Sequence, residues 1–135
     1  GKTMDLDIFG NQIYIMAQLD NKYTGRWKVD TGATATSLHY PFAEKHGFLK
    51  RGGREKTKRG LGGEFIVRTS RFNSLKIGDV IFKNILLDFP LTKVAGTRSY
   101  TESIGNIGGD ILSKFIIYLD YHKKRIIFEN GMKFN

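Results

Sequence analysis

Val29-Asp30-Thr31-Gly32-Ala33-Thr34 is the stretch on which the reading of this chain turns. The residues before it, 25–30, read as a strand with Trp27 and Val29 on one side and Lys28 on the other, so the acid falls at the strand end where a loop can present it. Gly32 lets the backbone turn sharply where a side chain would collide. The Thr31 hydroxyl can donate and accept at once. Late in the chain a second glycine-bearing stretch, Ile104-Gly105-Asn106-Ile107-Gly108-Gly109-Asp110-Ile111-Leu112, intersperses apolar residues with glycine.

Outward from the acid, most segments carry the two-residue period of strands. Residues 4–9 and 11–20 form two such segments, with Ile13, Ile15, Ala17 and Leu19 alternating against Gln12, Tyr14, Met16 and Gln18. Gly10-Asn11 and Asp20-Asn21-Lys22 are turns. Pro41 to Gly47 reads as a short helix, with proline in its first turn and glycine at its end. The basic, glycine-rich segment 52–63 and the strand 64–68 form a hairpin with a mobile tip. A segment over 74–78 turns at Ile77-Gly78-Asp79 into two buried strands, Val80-Ile81-Phe82 and Ile85-Leu86-Leu87. Thr92 to Ser103 reads as an irregular loop of about a dozen residues. Asp110 to Phe115 fits a short helix, and 116–121 with 125–129 a terminal hairpin.

A chain of 135 residues makes one domain, 1–135, large enough for a core without staples and too small for two lobes. Sixteen glycines against two prolines favour an all-β fold rich in tight turns. The absence of cysteine excludes thiol catalysis, cysteine-bound zinc and disulfides. His39, His46 and His122 have no metal-ligand spacing, so no metal or other cofactor is expected. Gly60-Leu61-Gly62-Gly63 precedes a strand instead of opening a helix, unlike a nucleotide-binding loop. No apolar run reaches membrane-spanning length, and Gly1-Lys2-Thr3-Met4 lacks the apolar core of a signal peptide. The expectation is a soluble chain of open compartment, with export or a periplasmic setting allowed if a leader has been removed.

The formal charge of +9 is concentrated. Lys50, Arg51, Arg54, Lys56, Lys58 and Arg59 crowd ten residues with only Glu55 opposing, and Lys123-Lys124-Arg125 form a second cluster. Each reads either as an anion-binding patch or as a solvated loop. No aromatic residue is interleaved in the first, which argues against a nucleic-acid platform there.

The acid suggests hydrolysis. Two close carboxylates that share one proton can activate water and protonate a leaving nitrogen. Only Asp30 stands in an Asp-Thr-Gly context, so the second carboxylate must come from a second copy of the chain.

Asp30-Thr31-Gly32-Ala33, taken with Ile107-Gly108 and the residues around it, resembles the paired signatures of retropepsin-like aspartic proteases, above all bacterial single-domain relatives. The resemblance runs from about residue 11 to 129. It implies a closed-barrel-like acid protease fold with one or two short helices and one lobe per chain, acting on polypeptide as a homodimer. By the same resemblance Asp30 is the catalytic acid, Thr31 braces the twin loops across the dimer, and Gly32 belongs to the catalytic loop. Ala33, Thr34, the tip Gly60, Leu61, Gly62 and Gly63, and Ile107 are the substrate-side residues, with Ile107-Gly108 packed beneath the loop. Asn106, where an apolar residue is usual, and Lys28, which interrupts the apolar run before the acid, depart from the pattern. The other readings are a related fold that binds peptide or protein without cleaving it, and a nucleic-acid-associated β protein using residues 50–59.

Overall fold

The computed structural model describes residues 2–60, 62–93 and 103–131. Alternating side chains carry most of them into strands: β1 (Lys2–Phe9), β2 (Gln12–Leu19), β3 (Tyr23–Val29), β4 (Ser37–Leu38), β5 (Arg54–Gly60), β6 (Gly63–Ile77), β7 (Val80–Pro90), β8 (Ser103–Ile107), β9 (Phe115–Asp120) and β10 (Arg125–Asn130). Two short helices, α1 (Tyr40–Lys45) and α2 (Gly109–Leu112), interrupt the pattern.

The sheet runs β5-β6-β7-β4-β8-β3-β2-β1-β10-β9, and β6 also pairs with β2 through Gln18↔Lys76 and Leu19↔Leu75. That extra pairing closes β2, β3, β8, β4, β7 and β6 into a barrel. β5 extends outward from β6, while β1, β10 and β9 continue the sheet beyond β2. Closure is held by Asp20, in the left-handed region at φ 54°. Its carboxylate accepts the N–H groups of Asn73 (2.8 Å) and Ser74 (3.2 Å), and its own N–H donates to the Ser74 carbonyl. The expected all-β, closed-barrel-like architecture with two short helices is what the chain forms.

Most neighbouring strands are antiparallel, but β3–β8 and β4–β7 are parallel. These pairings put the two signature segments side by side. Trp27, Leu38, Phe72, Leu75, Leu87, Phe89 and Ile107 are fully buried inside the barrel. Phe48, Phe72 and Phe89 meet edge to face, and the Arg51 guanidinium lies 4.0 Å from the Phe72 ring centre. Each such ring contributes about 1.5–3 kcal/mol by its burial alone.

Several boundaries differ from the sequence expectation. Residues 63–77 are one strand, because β7 pairs along them continuously enough to carry the polar middle. β7 likewise bridges the expected break at Lys83-Asn84, with Asn84 in the left-handed region at φ 54°. Its apolar runs are not fully buried: Ile81 and Leu86 are each about half exposed, because alternate side chains of β7 face outward. α2 stops at Leu112, and Phe115 instead opens β9, packed between Phe82 and Phe128. Of the expected loop, Thr92 and Lys93 are irregular, Ser103 belongs to β8, and 94–102 lie outside the described residues.

β8 approaches the chain around β4 so closely that glycine is required. A Cβ on Gly105 would stand 2.0 Å from the Ser37 carbonyl oxygen. Gly105→Ala is therefore expected to destabilise by about 2–4 kcal/mol in denaturant unfolding, since backbone must move. Gly52→Ala, where a Cβ meets nothing within 4 Å, should stay within about 0.5 kcal/mol of the parent or stabilise slightly.

Candidate active site

β3 delivers Asp30 into a loop that runs to Thr36, and β8 with α2 supports that loop from behind. The Asp30 N–H donates to the Ile107 carbonyl (3.0 Å), continuing the parallel pairing by one residue. The loop then turns on itself. Ala33 N–H donates to the Asp30 carbonyl (3.3 Å), and Gly32 N–H donates to Asp30 Oδ1 (3.1 Å). One carboxylate oxygen is thus oriented by its own loop, and the other, Oδ2, lies 3.6 Å from Lys28 Nζ. The Asp30 side chain is 27% exposed, open enough to meet another molecule.

The support from behind is denser. Gly109 N–H donates to the Ala33 carbonyl (2.7 Å) and Asp110 N–H to the Thr34 carbonyl (3.1 Å). Asp110 grips Thr36 with both oxygens, taking the Thr36 hydroxyl at 2.6 Å and its backbone N–H at 3.1 Å. The same hydroxyl oxygen accepts the Gly108 N–H at 3.0 Å. Thr36 is fully buried and its bond from Gly108 N–H is buried with it, while Asp110 reaches in from an exposed position at the start of α2. A Cβ on Gly108 would come within 2.6 Å of the Ala35 carbonyl oxygen. Glycine there lets the two segments touch.

Asp30, Thr31, Gly32, Ala33 and Thr34 lie together on one loop, with Thr31, Gly32 and Thr34 exposed. Two expectations change. Gly32 is not forced by crowding within this chain, since a Cβ there would meet only Asp30 Oδ1 at an ordinary 3.5 Å. The sharp constraint sits at Gly108. Ile107, expected on the substrate side, has a fully buried side chain and offers the loop only its carbonyl, because the β8 alternation turns it into the core. At the hairpin tip Gly60 pairs with Gly63, Gly62 and Gly63 are exposed, and Leu61 lies outside the described residues.

The β5–β6 hairpin is tied to the loop's far end through Asp88. This buried carboxylate accepts the Thr69 hydroxyl (2.5 Å) and lies 3.3 Å from the ammonium groups of both Lys56 and Lys58, while Asp88 N–H donates to the Thr36 carbonyl. Burial pushes the Asp88 carboxyl up, but the Thr69 bond and the two lysines outweigh it and hold it below its ordinary value. Sequence reading missed Thr36, Asp110 and Asp88 as members of this assembly. Nothing in their spacing marks them, as each meets its partner across 19 to 74 residues.

Residues 15–106 match the model of the aspartyl protease family. The chain belongs to that family. A retropepsin-like aspartic protease from Rickettsia conorii shares 25% identity with it, the match covering 92% of this chain and 94% of that one at a TM-score of 0.65. The protease of EIAV, solved with the inhibitor HBY-793, shares the fold at 16% identity and a TM-score of 0.53, over 79% of this chain and 90% of that one. No curated protein sequence matches. The retropepsin-like fold thus places the Asp-Thr-Gly loop of this aspartyl protease relative against β8 and α2.

Two outcomes follow from this geometry. Thr36→Val keeps the shape but strips the hydroxyl from Asp110 and Gly108, and should cost about 1–3 kcal/mol in urea unfolding. His39 is held down to about 4 by burial and by the Lys28 charge. The unfolded chain takes up a proton near the ordinary value of 6.5 and the folded chain does not, so His39 subtracts stability as pH falls from about 6.5 towards 4. Unfolding of His39→Gln across that window should show a shallower loss than the parent.

Proposed function

We propose that this chain is an aspartic endopeptidase that works as a homodimer, one Asp30 from each copy meeting across a two-fold axis. The observation that carries the reading is the Asp30 loop itself: an oriented, accessible carboxylate on a segment braced from behind by Gly108, Gly109 and Asp110. One copy supplies half of the acid–base pair.

In the dimer one carboxylate is ionised and the other holds a proton. The ionised group takes a proton from water as the water oxygen attacks the peptide carbonyl carbon, and its protonated mate gives its proton to the carbonyl oxygen. The carbon–nitrogen bond then breaks as the leaving nitrogen takes the proton held by the first carboxylate and a diol hydroxyl returns its proton to the second, which re-forms the carbonyl and restores the pair. Thr31, exposed beside the acid, would brace its twin loop across the axis. Gly32, Ala33 and Thr34 would contact the peptide backbone, and the β5–β6 hairpin would act as a flap, its tip Gly60 to Gly63 closing over a substrate bound as an added strand.

A second reading, peptide binding without turnover, is favoured by one contact. Lys28 stands 3.6 Å from the carboxylate that must do the chemistry. Turnover separates the two. Asp30→Asn should leave the fold intact and reduce peptide cleavage to background, because it removes the ionisable group and keeps the shape. Retained cleavage would end the endopeptidase assignment. Specific activity should also fall on dilution in step with loss of the dimer by sedimentation; constant activity in monomeric samples would refute the shared site.

A further inference from the structure

Cross-strand partners share a face of a sheet. Followed by register, Lys28 of β3 pairs with Asn106 of β8, Asn106 with Ser37 of β4, Ser37 with Asp88 of β7, and Asp88 with Thr69 of β6. Five polar residues thus form one continuous row across the barrel wall. The next row, on the opposite face, holds Trp27, Gly105 and Leu38, which belong to the core. The polar row begins beside the Asp30 carboxylate, 3.6 Å from Lys28, and ends beneath the β5–β6 hairpin, where Lys56 and Lys58 reach Asp88.

The row is built for a polar visitor. The Asn106 side-chain oxygen is buried without a hydrogen-bond partner, and an apolar side chain laid over it would seal that deficit in place. Charge adds a sign. Three ammonium groups, on Lys28, Lys56 and Lys58, face two carboxylates, Asp30 and Asp88. Asp88 already engages both hairpin lysines, whereas Asp30 must turn to water during hydrolysis, which leaves Lys28 without its counter-ion at that moment. Residues 54–68 carry five cations against two acids, so the hairpin repeats the same sign from above.

We propose that this row is the floor of the substrate groove, and that Lys28 is a specificity-determining residue selecting an acidic side chain beside the scissile bond. The inference rests on the peptidase reading and names its substrate class, acidic polypeptide. It assigns a use to a lysine that interrupts the apolar run beside the acid.

The test uses peptides that differ only in Glu, Gln or Leu next to the cleaved bond. The chain should cleave the Glu peptide with kcat/KM about tenfold above the other two, the size expected for one charge-assisted contact. Lys28→Gln should level the series, mainly through the Glu peptide. Lys123→Gln, on the turn before β10 and carrying the same change of net charge, should leave it as it was. Binding of the same peptides to the Asp30→Asn chain, by calorimetry, reads the preference without turnover. If nothing is cleaved but Glu still binds tightest in a Lys28-dependent way, the endopeptidase reading fails and the acidic groove stands. Equal handling of Glu and Gln, a Leu preference, or a Glu preference that survives Lys28→Gln overturns the inference.

Discussion

The grip of Asp110 on Thr36 is the interaction on which the rest of the site depends. Two oxygens of one carboxylate take a hydroxyl and a backbone N–H from the end of the loop, and the hydroxyl oxygen in turn takes the Gly108 N–H. Bonds to an ionised group are about twice as strong as neutral ones, and their Thr36 side is fully buried. They fix the far end of the segment that begins at Asp30, whose near end is held by the Asp30 N–H on the Ile107 carbonyl. Without them the loop would rest on its backbone bonds to Ile107, Gly109 and Asp110, with its Thr36 end untethered from α2 by any side chain.

That grip is possible only because the wall behind it has been thinned. Gly105 and Gly108 remove the side chains that would hold β8 away from the chain between Ala33 and Leu38. Barrel closure then holds β8 against β3 and β4, with Asp20 locking β2 to β6 on the far side. Burial of the core, Phe72 and Phe89 among it, supplies the bulk energy, and the hydrogen bonds supply the alignment. The two act at different scales: burial decides that a barrel forms, while the carboxylate bonds decide where one loop of it rests.

How much could be read in advance follows from the range of each interaction. The strand-end placement of Asp30, the turns at Gly10-Asn11 and Asp20-Asn21, helix α1 and the terminal hairpin are local patterns, and each formed close to its expected place. Residues 63–77 were harder. Polar Arg71, Asn73 and Ser74 look like a break until a partner strand is known to run alongside. Thr36, Asp110 and Asp88 were illegible as site members because an ordinary threonine or aspartate acquires its role only from a neighbour brought in by topology. Gly32 erred the other way, its apparent necessity having been inferred from the motif while the steric demand lay at Gly108. Lys28 was visible as an interruption, but that its ammonium reaches the acid two residues on needed the side chain's actual path.

Parallel pairing of β3 with β8 also sets a timetable. Antiparallel neighbours can zip from a tight turn, but parallel ones must wait for the chain between them to be laid down. Arg26 and Ser103, joined at the start of that pairing, are 77 residues apart. Closing so long a loop is entropically uphill until other contacts have drawn its ends together. The segment bearing Asp30 therefore acquires its support only after β8, 77 residues further along at that pairing, has been made and drawn in. Until then the polypeptide carries the aspartate without the wall that aims it, so the order in which strands are joined decides when the acid is positioned.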